Sequence, residues 1–196
     1  MNHKQPDTAY SLHNLLADRW SPRAFDSHRI IEMDKLQSIL EAARWAPSCF
    51  NDQPWRFIVC NRHTDAAAWE AATRVLTEKN QRWARHAPVI ILLCSESLFG
   101  HNNNENRWAQ YDTGAASMSI CLQATALGLC THQMGGFDIE AAKTAFAIPE
   151  SVTPMAMLAL GYQGRLEDLD PDFVEAEQQQ RLRKPLDEIV FEGRWR

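Results

Sequence analysis

Six apolar residues in succession, Val89 to Cys94, stand between Pro88 and Ser95 and limit the choice of fold more than any other stretch. A strand open to water on one side alternates polar and apolar residues. An unbroken short run reads instead as a central strand covered on both faces. Its covers are visible on either side. Leu36, Ile39, Leu40 and Ala43 recur at helical spacing, predicting a helix from Asp34 to Trp45 that Asp34 caps and Pro47 ends. Further helices are expected over 10–18, 66–76, 80–86 and 138–146, the last capped by Asp138, with strands over 56–60, 129–134 and 154–160. Strands alternate with helices, so the expected class is α+β, a mixed β-sheet flanked by helices.

The longest helical candidate, 107–127, carries Gly114, Ala115, Ala116, Ser117, Ser119 and Ala124 in its middle. Small residues allow close backbone approach, which marks a core or subunit-interface helix. Residues 96–106, with Asn102 to Asn104, form a polar loop that either covers a site or merely connects two elements. From Asp170 onward the chain is polar, then finishes in Pro185 to Phe191, an apolar stretch that needs a surface to dock on, such as a second subunit.

With 196 residues, 45% of them hydrophobic, one domain spanning 1–196 can bury a sizeable core. The net charge of −5 argues against a nonspecific nucleic-acid binder. No apolar run approaches the ~20 residues of a membrane span. Met1 to Pro6 lack an apolar signal region, so the expected compartment is the cytoplasm. The five cysteines form no Cys-x-x-Cys pair and the seven histidines no ligand spacing, so no metal site is expected. Glycine signatures of the Rossmann and P-loop kinds are missing as well.

Chemistry is signalled elsewhere, by arginines near the two chain ends. Arg19 and Arg23 flank Trp20, Ser21 and Pro22, while Arg181 and Arg183 lie close to the finish. Guanidinium groups carry fixed, permanently charged donors that match a phosphate. Pro22 biases Ser21 toward an extended backbone, from which its hydroxyl and the arginine heads can address one anion. Arginines are mostly surface residues, however, and charge alone does not define a site. A second candidate is the loop from Ala46 to Trp55, whose polar groups suit a flat heteroaromatic ring.

These pieces, in this order, resemble the FMN-dependent nitroreductase family. The matching stretches are Arg19-Trp20-Ser21-Pro22-Arg23-Ala24-Phe25, Ala46-Pro47-Ser48 through Gln53-Pro54-Trp55-Arg56-Phe57, Gly135-Gly136-Phe137-Asp138, and Arg183-Lys184-Pro185-Leu186. The resemblance implies an intertwined homodimer with FMN at the interface. It further implies that Arg19, Trp20, Ser21, Arg23, Arg181 and Arg183 hold the phosphate and nearby polar groups. Pro47, Ser48, Cys49 and Asn51 would reach the flavin from the other subunit. Asn80 would face the pyrimidine edge, and the amides of Gly135 and Gly136 would lie near the reactive nitrogen.

Two positions depart from the family pattern. Cys49 stands where some relatives have serine or alanine, and Trp83 where some have lysine, so the cation near the ring is Arg82 or Arg23, or is absent. By resemblance, the chain is an NAD(P)H-dependent oxidoreductase working by ping-pong on nitroaromatic, quinone or similar acceptors. Its chemistry would be carried by the flavin, with no catalytic side chain. Trp108, Tyr111 and Phe99 are candidate walls for the acceptor, or plain core. Flavin destruction, dehalogenation and non-catalytic FMN storage stay open as alternatives.

Overall fold

In the computed structural model, which describes residues 4–195, the run at Val89 lies in strand β2 (Val89–Glu96), near the middle of a four-stranded sheet. Met1 to His3 and Arg196 lie outside the described residues. The other strands are β1 (Trp55–Asn61), β3 (Cys130–Met134) and β4 (Val152–Gly161), in the spatial order β1-β2-β4-β3. Side chains of β2 alternate between two cores. Ile90, Leu92 and Cys94 enter one, while Val89, Ile91 and Leu93 enter the other. β4 does the same with Met157 and Ala159 against Leu158 and Leu160. Burial on both faces is why these strands read as continuous apolar sequence.

All three strand pairings are antiparallel, which corrects the expectation of a mixed sheet within the chain. Between β2 and β4 the register slips at Leu93/Cys94, where Met155 is passed over and Pro154 stands opposite Cys94. Such a bulge tolerates a proline inside a paired strand, because the ladder is locally interrupted there.

Among the described residues, seven α-helices accompany the sheet. One face carries α2 (Met33–Arg44) and α5 (Ala109–Ala126), with Leu36, Ile39 and Ala43 of α2 and Ala116, Ile120 and Ala124 of α5 in the shared core. The small residues Ala116 and Ala124 of α5 therefore serve close packing, and Gln123 Nε2 donates to Ser38 Oγ across the pair at 3.0 Å. The opposite core takes in residues of α3 (Ala66–Arg74), α4 (Glu78–Ala84), α6 (Ile139–Phe146) and α7 (Pro171–Gln178). Asp138 caps α6 as expected, accepting from Ala141 N at 2.9 Å.

Three expected boundaries move. Helix α1 is confined to Asn14–Asp18, because His13 is extended and caps it through Nδ1. Glu32 rather than Asp34 is the N-cap position of α2. Helix α7 lies within what reads as a polar tail, started by Asp170, whose carboxylate accepts from Asp172 N, and by Pro171 in the first turn.

Candidate functional site

Arg19, Arg181 and Arg183 line one cleft of about 980 Å³ together with Lys184, Leu186 and Met118 of α5. Arg19 Nη1 donates to Ser21 Oγ at 3.3 Å. Arg181 Nη1 donates to Lys4 O at 2.8 Å and to Ala17 O, tying the C-terminal segment to the end of α1. Burial, followed by repulsion from Arg19 and Arg183, pulls the Arg181 pKa below its ordinary value, with Asp18 opposing the shift. Asp7 and Asp187 also line the cleft, while the close ion pairs seen between described residues are made by Lys35, Arg44, Arg82, Lys143 and Arg165. A cleft in which Arg19, Arg181, Arg183 and Lys184 outnumber Asp7 and Asp187 is a place suited to an anion.

Arg23 takes a different course. Its guanidinium lies 6.0 Å from the Phe173 ring centroid, and it is not part of the cleft lining. Trp20 belongs to a smaller neighbouring cavity of about 250 Å³, where Lys4 Nζ lies 4.8 Å from its ring centroid. Beneath the segment, His132 of β3 packs 4.4 Å from Trp83 between ring centroids, and its Nδ1 lies 3.0 Å from Pro22 O. Burial holds the His132 pKa down at about 4, with Arg23 and Arg19 repelling the charged form and the Pro22 contact opposing the shift. Trp83 is thus a core residue, 1% exposed. Arg82 is committed elsewhere: its Nη2 lies 2.7 Å from Asp170 and 2.6 Å from Asp172.

At the end of β3, Gly135 and Gly136 meet Asn80. Asn80 Nδ2 donates to Gly136 O at 3.0 Å, and Thr77 N donates to the same oxygen at 3.0 Å. A Cβ on Gly136 would stand 2.8 Å from Asn80 Nδ2 and 3.0 Å from Thr77 Oγ1, so a larger residue there has to displace these side chains. Gly135 is different. Its Cβ would meet nothing within 4 Å, and the same holds for Gly114 on α5. Neither has positive φ. No internal contact demands glycine at these two positions, which leaves an unobstructed surface for something flat. Open glycine surface and a cleft with an excess of basic groups together suit a planar ring carrying a phosphate.

The loop 46–54 lies apart from the cleft within one chain and lines none of it. Ser48 Oγ accepts from Gln53 N at 3.0 Å, and Cys49 N donates to the buried Asp112 carboxylate of α5 at 2.9 Å. Phe50, Asn51 and Gln53 all adopt positive φ, at 54°, 57° and 52°. Such non-glycine conformations cost on the order of 1 kcal/mol each. Asp52 anchors the loop by accepting from Gly100 N at 2.9 Å and Asn106 Nδ2 at 3.2 Å. Pro47, Phe50 and Asn51 are consequently held outward, Phe50 being 81% exposed with its ring edge against Phe99 and His101. Trp108 and Tyr111, at 42% and 77% exposed, are not core.

Sequence reasoning missed Asp52, Asp112, His132 and Glu177. Each is a polar group turned onto main-chain atoms, and such partners carry no periodic signal. Only Asp112, in the first turn of the small-residue helix, offered a hint.

With this geometry in view, the chain belongs to the Nitroreductase family, whose sequence pattern matches residues 16–162. An uncharacterised 15.4 kDa protein of Mycolicibacterium smegmatis is 34% identical over 146 residues, covering 71% of this chain and 97% of that protein. A putative NADH dehydrogenase/NAD(P)H nitroreductase of Methanothermobacter thermautotrophicus is 30% identical over 173 residues, 81% of this chain and 83% of its own. Among solved structures, one described as an oxidoreductase containing FMN superposes with a TM-score of 0.91 at 34% identity, over 100% of this chain and 98% of that one.

Proposed function

We propose that this chain is an FMN-dependent oxidoreductase that takes electrons from NADH or NADPH and passes them to small acceptors such as nitroaromatics or quinones. The observation that carries this reading is the cleft where Arg19, Arg181, Arg183 and Lys184 outnumber the acidic residues Asp7 and Asp187. The similar structure described as containing FMN supports the choice of flavin, and the M. thermautotrophicus relative supports a nicotinamide donor.

In this reading the guanidinium groups, with the Ser21 hydroxyl, hold the flavin phosphate. Gly114 and Gly135 leave room for the ring, and Asn80 fixes the Gly136 turn so that main-chain donors face it. When bound, FMN supplies the redox chemistry, accepting a hydride at N5 and releasing reducing equivalents to the acceptor. The protein contributes orientation and fixed charge, and no side chain is assigned a proton transfer. Donor and acceptor would use the same space in turn, giving ping-pong kinetics.

A homodimer belongs to the same reading. Leu186, Ile189 and Val190 are 54%, 57% and 57% exposed, and Trp45 and Tyr111 are 75% and 77% exposed. Large apolar side chains left this exposed are candidates for burial against a second copy. A partner would cover them and could bring its own loop, with Ser48, Cys49 and Asn51, to the cleft. Cytosolic residence fits five cysteines that are all free. Among the described residues, no helix is long and apolar enough to cross a membrane.

Stopped-flow absorbance on the FMN-loaded protein tests the proposal. NADH or NADPH should bleach the oxidised-flavin band, and a nitroaromatic or quinone should restore it. A band that survives both nicotinamides would remove the reading and favour storage of FMN. Parallel lines in double-reciprocal plots would support ping-pong turnover.

A further inference from the structure

The two chain ends are joined by one buried carboxylate. Glu177, in the last turn of α7, is 5% exposed. Its oxygens accept from Arg23 N at 2.9 and 3.0 Å and from Ala24 N at 3.1 Å. Burying a carboxylate is costly unless its lone pairs are used, and here main-chain donors use them. On the neighbouring residue, the Pro22 carbonyl is held by His132. Pro22, Arg23 and Ala24, at the end of the arginine segment, are therefore fixed through their main chain, leaving the Arg23 side chain free for other contacts. Helix α7 ends at Gln178, and only Gln179 and Gln180 separate it from Arg181.

We infer that Glu177 is a positioning residue of the phosphate site, setting the spacing between the N-terminal arginine segment and the Arg181–Arg183 segment. The inference rests on the FMN reading above. Electrostatic sign separates this role from a passive one. A carboxylate near an anion site repels the anion, so if Glu177 acted only through its charge, removing it would tighten FMN. If it acts by position, removing it loosens FMN. Glutamine at 177 keeps the size but turns an amide N–H₂ toward the Arg23 and Ala24 donors, so the hold is lost on one side.

Titration of Glu177→Gln and wild type with FMN and with riboflavin, followed by flavin fluorescence, tests this. The FMN Kd should rise on the order of tenfold to a hundredfold, the scale seen when a residue that orients a binding group is lost. The riboflavin Kd should not change, since riboflavin has no phosphate. An unchanged or tighter FMN Kd, or equal weakening of both flavins, overturns the positioning role alone. Wild-type protein that binds neither flavin overturns the FMN reading with it. Should Glu177→Gln fail to fold, amide NMR on the unmodified chain decides. The Arg23 and Ala24 amides should shift with FMN and not with riboflavin, and a response to neither, or to both alike, counts against the role.

Discussion

Arg82 and the arginines of the cleft are the same side chain put to opposite uses. Arg82 is held by Asp170 and Asp172 at 2.7 and 2.6 Å, so its charge is neutralised where α4 meets the start of α7. Arg19, Arg181 and Arg183 share a cleft in which basic side chains outnumber acidic ones, and Arg181 feels the other two as repulsion. One arrangement closes the fold. The other spends stability to keep a cationic hollow open, which is worthwhile only if an anion enters it.

The sharpest break of this comparison is the double substitution Arg19→Ala/Arg183→Ala. Losing two charge-assisted contacts should raise the FMN Kd by about a hundredfold or more. The Tm without flavin should stay level or rise, because repulsion is relieved. A Tm that falls, measured by calorimetry without flavin, would mean these arginines are structural after all.

Acid tests the floor beneath the segment. His132 has its pKa depressed from 6.5 to about 4 in the folded chain, so between those values the unfolded chain binds more protons. Stability should therefore fall as pH drops from about 6.5 to about 4, by about 3 kcal/mol for this one group. Denaturant midpoints across that window should flatten in His132→Asn, whose amide can still donate to Pro22 O.

Glycines at the β3 end sharpen the contrast between internal and external demand. Gly136→Ala should cost roughly 1–3 kcal/mol by overpacking against Asn80 and Thr77. Gly135→Ala should leave stability unchanged while weakening FMN, since its new methyl meets nothing of the chain itself. The smallest effect belongs to Arg82→Ala, a partly exposed ion pair. Its Tm should drop slightly with the FMN Kd untouched, and any loss of flavin binding would erase the division between the two arginine groups.

Much of the scaffold could be read from residue patterns. The Val89 run, the α2 spacing and the Asp138 cap all report local burial or local hydrogen bonding, which sequence encodes directly. Strand direction does not work that way. It depends on which end of the sheet each connection returns to, and alternating helices and strands are compatible with either sense, so an antiparallel sheet was read as mixed. Helix α7 went unread because its charged surface hid the Asp170-Pro171 start signal. At the site, the arginines were legible as charge and Gly136 as a turn. Glu177 and His132 were not, because a buried polar group satisfied by main-chain atoms from a distant segment looks like any surface residue in the sequence.

The anchoring of Asp52 on Gly100 and Asn106 makes two loops a single mechanical unit. The exposed tip at Asn102 to Asn104, an ordinary place for insertions, sits on the same base that keeps Phe50 in its left-handed conformation. Lengthening the tip should thus spare the sheet yet let the turn relax, so variation there would be transmitted to the aromatic edge without any change in the residues that form it.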